Sequence, residues 1–127
     1  MPGMSFKPKS DNNLLHLVGT MEGPADTVYQ DIVFKMEITD GESYPFNPPH
    51  IKFVTSVFHP NISEAGEICL DILSKQWTRM YTLESTIRSI QELLRTPNVD
   101  DPFNDDAAVL WSKDKEQFIK RAKSYKK

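Results

Sequence analysis

One cysteine, Cys69, occurs in 127 residues. Without a second, the chain can close no internal disulfide and build no cysteine-based zinc site. No metal site is expected. A lone free thiol suits a reducing compartment. Long apolar runs are missing too. No stretch approaches the ~20 residues needed to cross a bilayer, and the first twenty residues hold no apolar core of a signal peptide. The expectation is a cytosolic or nuclear protein with no membrane partner. Basic charge is not in excess: 15 Lys and Arg against 18 Asp and Glu leave a net charge of -3. A dedicated nucleic-acid binder shows a basic face and a high pI, so no nucleic-acid partner is expected. Internal repeats and low-complexity tracts are absent.

What is present fits one globular domain, with 39% hydrophobic and 26% charged residues. Residues 1–13 (MPGMSFKPKSDNN) are rich in proline and polar groups and read as a flexible tail, leaving residues 14–127 as the folded core. Leu14 to Glu22 alternates loosely, with Leu15, Leu17 and Met21 on one side, which predicts a strand. Gly23-Pro24 turns the chain. In the next strand Ile32, Phe34, Met36 and Ile38 face one way, with Lys35 and Glu37 opposite. After a proline-rich loop over residues 40–49, a third strand is predicted from Ile51 to Val57. Then the period changes. Leu83, Ile87, Ile90 and Leu94 mark one face of a helix, capped by Thr82, favoured by Glu84 in its first turn and stopped by Pro97. A short helix follows from about Asp105 to Trp111, and a last one from about Lys113 carries Phe118, Ala122 and Tyr125 on one face. Strands first and helices after make an α+β pattern, with the strands as an antiparallel meander.

About 24 residues, His59 to Thr82, show little periodicity. So long a segment in a small domain is a misread element or a functional loop. It contains Cys69. Two readings of that residue stand side by side. Free cysteines are usually buried packing, and Ile68 and Leu70 are apolar neighbours. Against this, the segment is irregular, Gly66-Glu67 lies just upstream, and Asn61 and Asp71 are close in sequence. If the thiol reacts, a cysteine protease needs a histidine to activate it. His16, His50 and His59 are the candidates, without a protease signature around Cys69. A phosphatase loop would place glycines and bases after the cysteine, whereas Leu-Asp-Ile-Leu follows here. Glu67 and Asp71 would hold the thiol pKa up. A cysteine of ordinary pKa still attacks an activated thioester, so acyl carriage is the chemistry that fits.

The order Tyr44-Pro45-Phe46-x-Pro48-Pro49, His59-Pro60-Asn61, Gly66-x-Ile68-Cys69-Leu70-Asp71-Ile72-Leu73, Trp77 and Pro97-Asn98-x-Asp100-Asp101-Pro102 resembles the ubiquitin-conjugating enzymes. The resemblance runs from about Leu14 to Lys127. It implies a four-stranded antiparallel meander packed against a long helix, with further helices toward the C-terminus. It implies that Cys69 accepts ubiquitin from an activating enzyme as a thioester and passes it to a substrate lysine, with a ligase holding both. No cofactor is implied, since ATP is used by the activating enzyme. Asn61 would support the active-site loop and stabilise the oxyanion, a role worth ~3 kcal/mol for a side-chain amide. Asp101 would orient the attacking lysine and help it lose its proton. Phe46 with Thr78, Arg79 and Met80 would contact the ligase, and Asp71 and Arg88 the donor ubiquitin. His59 and Pro60 would shape the turn, and Trp77 would pack.

This chain also departs from the family pattern. Members usually begin with a helix, where about thirteen non-helical residues precede the first strand here. Thr78-Arg79-Met80 replaces the common Ser-Pro-Ala, which puts the usual ligase contacts in question. Arg88 stands where several members carry a leucine that packs on ubiquitin. Glu84, Ser85 and Arg88 are similar to the peroxisomal branch, so peroxisome association is a secondary expectation. Two alternatives stay open: an inactive binding module on the same fold, which Cys69, Asn61 and Asp101 argue against, and a carrier for another ubiquitin-like modifier.

Overall fold

A computed structural model of the chain describes residues 4–10, 13–39 and 44–125. Its strands β1 (Met4–Ser10), β2 (Asn13–Glu22), β3 (Val33–Thr39) and β4 (His50–Phe53) form one antiparallel sheet in the order β1-β2-β3-β4. Helices α1 (Leu83–Arg95), α2 (Asp105–Lys113) and α3 (Lys115–Ser124) follow. This is the expected α+β meander with its helices after it.

The alternation in β3 becomes a buried face: Phe34, Met36 and Ile38 are buried while Val33 and Lys35 are exposed. The register sets Met21 opposite Phe34, Met36 opposite Phe53 and Ile38 opposite Ile51, so one face of three strands is apolar throughout. Ile87, Ile90 and Leu94 of α1 and Phe118 and Ala122 of α3 join that face in a single core. Removing each large side chain from water contributes about 1.5–3 kcal/mol. Thr82 caps α1 reciprocally: its hydroxyl accepts from the Ser85 amide at 3.0 Å, and Ser85 Oγ accepts from the Thr82 amide at 2.9 Å. Asn104 caps α2 and Asp114 caps α3 in the same sense, each accepting an amide from the helix's first turn.

Two sequence expectations are corrected. Within the expected flexible tail, Met4–Ser10 instead form β1, paired with β2 from Met4↔Met21 to Ser10↔Asn13. Met4 and Phe6 pack against the core, and the missing side chain of Gly19 leaves room for the Phe6 ring. Pro8 obscured this pattern; at the sheet's edge, beside a register irregularity, a strand tolerates it. The third predicted strand stops at Phe53 rather than Val57. The Val54 amide donates to the Lys35 carbonyl at 2.8 Å and the Thr55 hydroxyl accepts from the Lys35 amide at 2.8 Å, which turns the chain off the ladder toward the site.

Candidate active site around Cys69

The site is built outward from a buried frame, Phe58 to Ile62. His59 is 0% exposed and Asn61 1%. The Asn61 amide donates to His59 Nδ1 at 3.0 Å, so the ring proton is on Nε2, which donates to the Leu93 carbonyl at 2.8 Å. The need for that bond is written in the sequence. Leu93 sits four residues before Pro97, which has no N–H to close the last helical bond. His59 fills the gap and locks the end of α1 to the frame. Burial pushes the His59 pKa from 6.5 down to about 4, with the Leu93 bond opposing. The ring is neutral at physiological pH, with both nitrogens engaged. It shapes the turn, as expected, and cannot serve as a base.

A stability prediction follows. Below pH 6.5 the unfolded chain takes up a proton at His59 that the folded chain refuses until about pH 4. The contribution is therefore complete above 6.5 and is lost as pH falls toward 4, amounting to roughly 3 kcal/mol. Urea unfolding at pH 7, 5.5 and 4 is expected to show this loss in the wild type and a markedly shallower one in His59→Gln. Equal pH slopes in the two proteins would remove His59 as the cause.

The same frame holds the second half of the site. Asn61 Oδ1 accepts from the Asn98 amide at 2.8 Å, and Asn61 Nδ2 donates to the Asn98 carbonyl at 2.7 Å. The Pro60 carbonyl accepts from the amides of Phe103 at 2.8 Å and Asn104 at 3.0 Å. Residues 98–104 are thus pinned at both ends, with Asp100 and Asp101 on the exposed arch between. The Asn61 side chain is committed to Asn98 rather than turned toward the thiol. Both of its bonds tie the arch to the frame.

Cys69 reaches the surface through a turn that only glycine can make. Gly66 has φ of 90°, and a Cβ there would lie 2.1 Å from the Phe53 carbonyl oxygen. This close approach lets the Phe53 amide donate to the Gly66 carbonyl at 2.9 Å. The Cys69 amide then donates to the Asn61 carbonyl at 2.8 Å, and its thiol lies 3.8 Å from the Asp101 carbonyl oxygen. The side chain is partly exposed. It opens on a groove of about 530 Å³ between the Ile68–Gln76 segment on one side and Asn98, Asp101 and Phe103 on the other. Burial first, then the carboxylates of Asp101 and Asp71, hold the thiol above its usual pKa. No histidine lines the groove, and His50 is engaged with Glu67 at 2.8 Å. The arrangement lacks the base of a cysteine hydrolase. It suits sulfur that exchanges an already activated acyl group. Among the described residues, no group of three or more His, Cys, Asp or Glu could hold a metal.

The expected ligase residues meet on a second surface. Phe46 is 69% exposed and Met80 82%. The Arg79 guanidinium stands 5.7 Å from the centre of the Phe46 ring. Trp77 binds the two loops together: its Nε1 donates to the Pro45 carbonyl at 2.9 Å, and its ring packs on Tyr44 and Tyr81. Thr78 is exposed beside them. The two expected donor contacts are not brought together. Asp71 lines the Cys69 groove, whereas Arg88 pairs with Glu84 at 3.4 Å and lines a separate depression beside Glu22, Gln91 and Arg95. Sequence reasoning missed Asn98 as the partner of Asn61 and Leu93 as the partner of His59. Pro97 was the signal that could have found the latter.

Comparison with known proteins agrees with this architecture. The family model described as ubiquitin-conjugating enzyme matches residues 1–126. The chain is 46% identical over 113 residues to "Ubiquitin-conjugating enzyme E2-20 kDa" of Schizosaccharomyces pombe, an alignment that takes in 89% of this chain and 64% of that protein. The chain therefore spans under two thirds of that relative. It is 45% identical over 122 residues to "Ubiquitin-conjugating enzyme E2 2" of Candida glabrata, covering 96% of this chain and 72% of that protein. The Saccharomyces cerevisiae protein of that name is 44% identical over 122 residues, covering 96% and 70%. This chain belongs to the ubiquitin-conjugating enzyme family.

Proposed function

We propose that the chain carries ubiquitin on Cys69 and hands it to a lysine of a protein substrate. The Cys69 sulfur attacks the thioester carbonyl of ubiquitin on an activating enzyme, and that enzyme's thiol leaves. A lysine amine then attacks the new thioester, the C–S bond breaks, an isopeptide forms and the Cys69 sulfur departs. Asp101, on the pinned arch across the groove, orients the incoming amine and takes up its proton. Asn61 holds that arch in register. Asp71 lines the path of the ubiquitin tail. ATP is spent by the activating enzyme, and this chain needs no cofactor of its own. Among the described residues no helix is long and apolar enough to cross a membrane, and the reaction fits the cytosol or nucleus. The observation that carries this reading is a partly exposed thiol in an open groove that Asp101 also lines, fixed through its backbone to Asn61 and 3.8 Å from the Asp101 carbonyl oxygen.

The test is a charging reaction with activating enzyme, ATP and ubiquitin, run on gels with and without reductant. A reductant-labile adduct is expected. If neither ubiquitin nor a related modifier forms one, the fold serves as a binding module instead.

The exposed Phe46–Arg79–Met80 surface fits a ligase partner. Phe46→Ala is expected to leave charging and spontaneous discharge unchanged while lowering ligase-stimulated discharge about tenfold, the size of a ~1.4 kcal/mol interface contact. Undiminished stimulation by a ligase that acts on the wild type would place the contact elsewhere.

A further inference from the structure

We propose that a pocket between the β2–β3 loop, the end of α1 and the α2–α3 corner docks a partner protein, through an acidic segment that inserts one large apolar side chain. The inference goes beyond the thioester reading and does not depend on it. Val28 from the loop, Leu94 from α1, Trp111 from α2 and Phe118 and Ile119 from α3 line a depression of about 240 Å³. It shares no lining residue with the Cys69 groove. Leu94 and Phe118 are buried and form its floor, while Ile119 is 42% exposed. The core takes Phe118 and Ala122 from α3 and leaves Ile119 to the surface. Both walls are built before anything binds. The Asp114 amide ends α2 on the Leu110 carbonyl, and its side chain caps α3 by accepting from the Gln117 amide at 3.2 Å, so Trp111, Lys115 and Ile119 share one fixed corner. The Trp111 ring meets Phe118 edge to face at 5.1 Å. In the loop opposite, the Thr27 hydroxyl donates to the Pro24 carbonyl at 2.7 Å and accepts from the Tyr29 amide at 3.1 Å. A preformed pocket spares its occupant the cost of ordering it.

Size and charge select the occupant. The pocket is smaller than the roughly 300–1,000 Å³ of sites that enclose drug-sized ligands. It has room for one large side chain, the kind of anchor that dominates protein interfaces. The Lys115 ammonium stands 4.2 Å from the centre of the Trp111 ring, at the pocket's edge. Lys115 is exposed, and among the described residues it makes no ion pair or hydrogen bond. Arg95, the other cation in the lining, is occupied by Glu92 at 3.3 Å. Asp26 lies in the loop wall. The helix that carries Lys115 also presents Lys120, Arg121 and Lys123 against Glu116. A carboxylate next to the inserted side chain therefore meets an unpaired ammonium and a basic helix behind it. A second copy of this chain is a poor occupant, because two-fold pairing through this face would set one basic α3 against another.

The experiment pans a library of random peptides on the full, uncharged chain, after depletion on the same chain carrying Lys115→Glu and Ile119→Asp. Enriched peptides are expected to share a Phe, Trp or Leu beside an Asp or Glu. A fluorescent copy of one is then titrated with each protein. Lys115→Glu and Ile119→Asp are each expected to bind it at least ~tenfold more weakly than the wild type, and added salt to weaken wild-type binding. Lys115→Met keeps the side-chain stem on Trp111 and drops the charge, and it is expected to lose affinity and most of the salt dependence. Both substituted positions are exposed, so this series reads the pocket and its charge rather than folding. No enrichment over the depleted protein, enrichment of basic or wholly apolar sequences, or equal affinity for Lys115→Met overturns the proposal. A dimer in sedimentation that Ile119→Asp abolishes also overturns it, by assigning the face to a second copy. None of these results requires the protein to charge, so the thioester reading stands or falls separately.

Discussion

In Cys69→Ser the ubiquitin adduct is expected to survive reductant and to transfer to free lysine at least ~10³-fold more slowly than the wild-type thioester. The two side chains differ in one atom, and the residue's fixed contact to the frame is through its amide, donated to the Asn61 carbonyl. The fold is therefore expected to change in stability by less than ~1 kcal/mol. The chemistry changes far more. A serine hydroxyl needs a base, and no histidine lines this groove. Burial, with the carboxylates of Asp101 and Asp71, already holds the Cys69 thiol above its usual pKa and disfavours an alkoxide more strongly still. Any ester that forms discharges slowly, because oxygen is a poorer leaving group than sulfur. Cys69→Ala separates chemistry from binding, since it keeps the groove and forms no covalent adduct. A gel on which Cys69→Ala still charges would show that the acceptor is another group.

The parts of the fold that local periodicity decides were legible from the sequence. Phe34, Met36 and Ile38 alternate because one face of β3 meets the core, and Ile87, Ile90 and Leu94 recur at helical spacing because one stripe of α1 does. Thr82 and Pro97 bracketed that helix correctly. The strand β1 was hidden because its signal depends on a partner: Phe6 reads as an isolated aromatic until Gly19 is placed opposite it. The motif around Cys69 singled out Cys69 and Asp101, and the two line one groove. It did not reveal how Asn61 works, since its amide meets the backbone of a residue 37 positions away. Backbone groups carry no sequence signature, so a side chain that binds only backbone leaves none at its partner. Arg88 shows the converse. It was placed at a ubiquitin contact by position alone, and its geometry is an i,i+4 pair with Glu84 on a surface apart from the groove.

Asn61→Ala is expected to charge like the wild type and to discharge to lysine about 10²-fold more slowly. Charging needs the Cys69 backbone in place, and the bond that holds it uses the Asn61 carbonyl, which alanine keeps. In the proposed mechanism discharge needs Asp101 in register, and alanine removes both bonds that pin the arch at Asn98. The anchor at the Pro60 carbonyl remains, so the arch loosens from one end rather than unfolding. Asn98 is exposed and water can satisfy its backbone, which limits the stability loss to ~1–2 kcal/mol. A displacement of the arch by about 1 Å suffices for a 10²-fold loss in a step that depends on positioning. Two mechanisms predict that kinetic loss, and amide hydrogen exchange over residues 98–103 distinguishes them. If Asn61 acts through the arch, exchange there rises in Asn61→Ala together with the slower discharge. If the amide instead binds the oxyanion directly, discharge slows while exchange stays at the wild-type rate. The geometry favours the first result: both ends of the Asn61 amide are already bonded to Asn98, and a direct hydrogen bond to the oxyanion would compete with that tie.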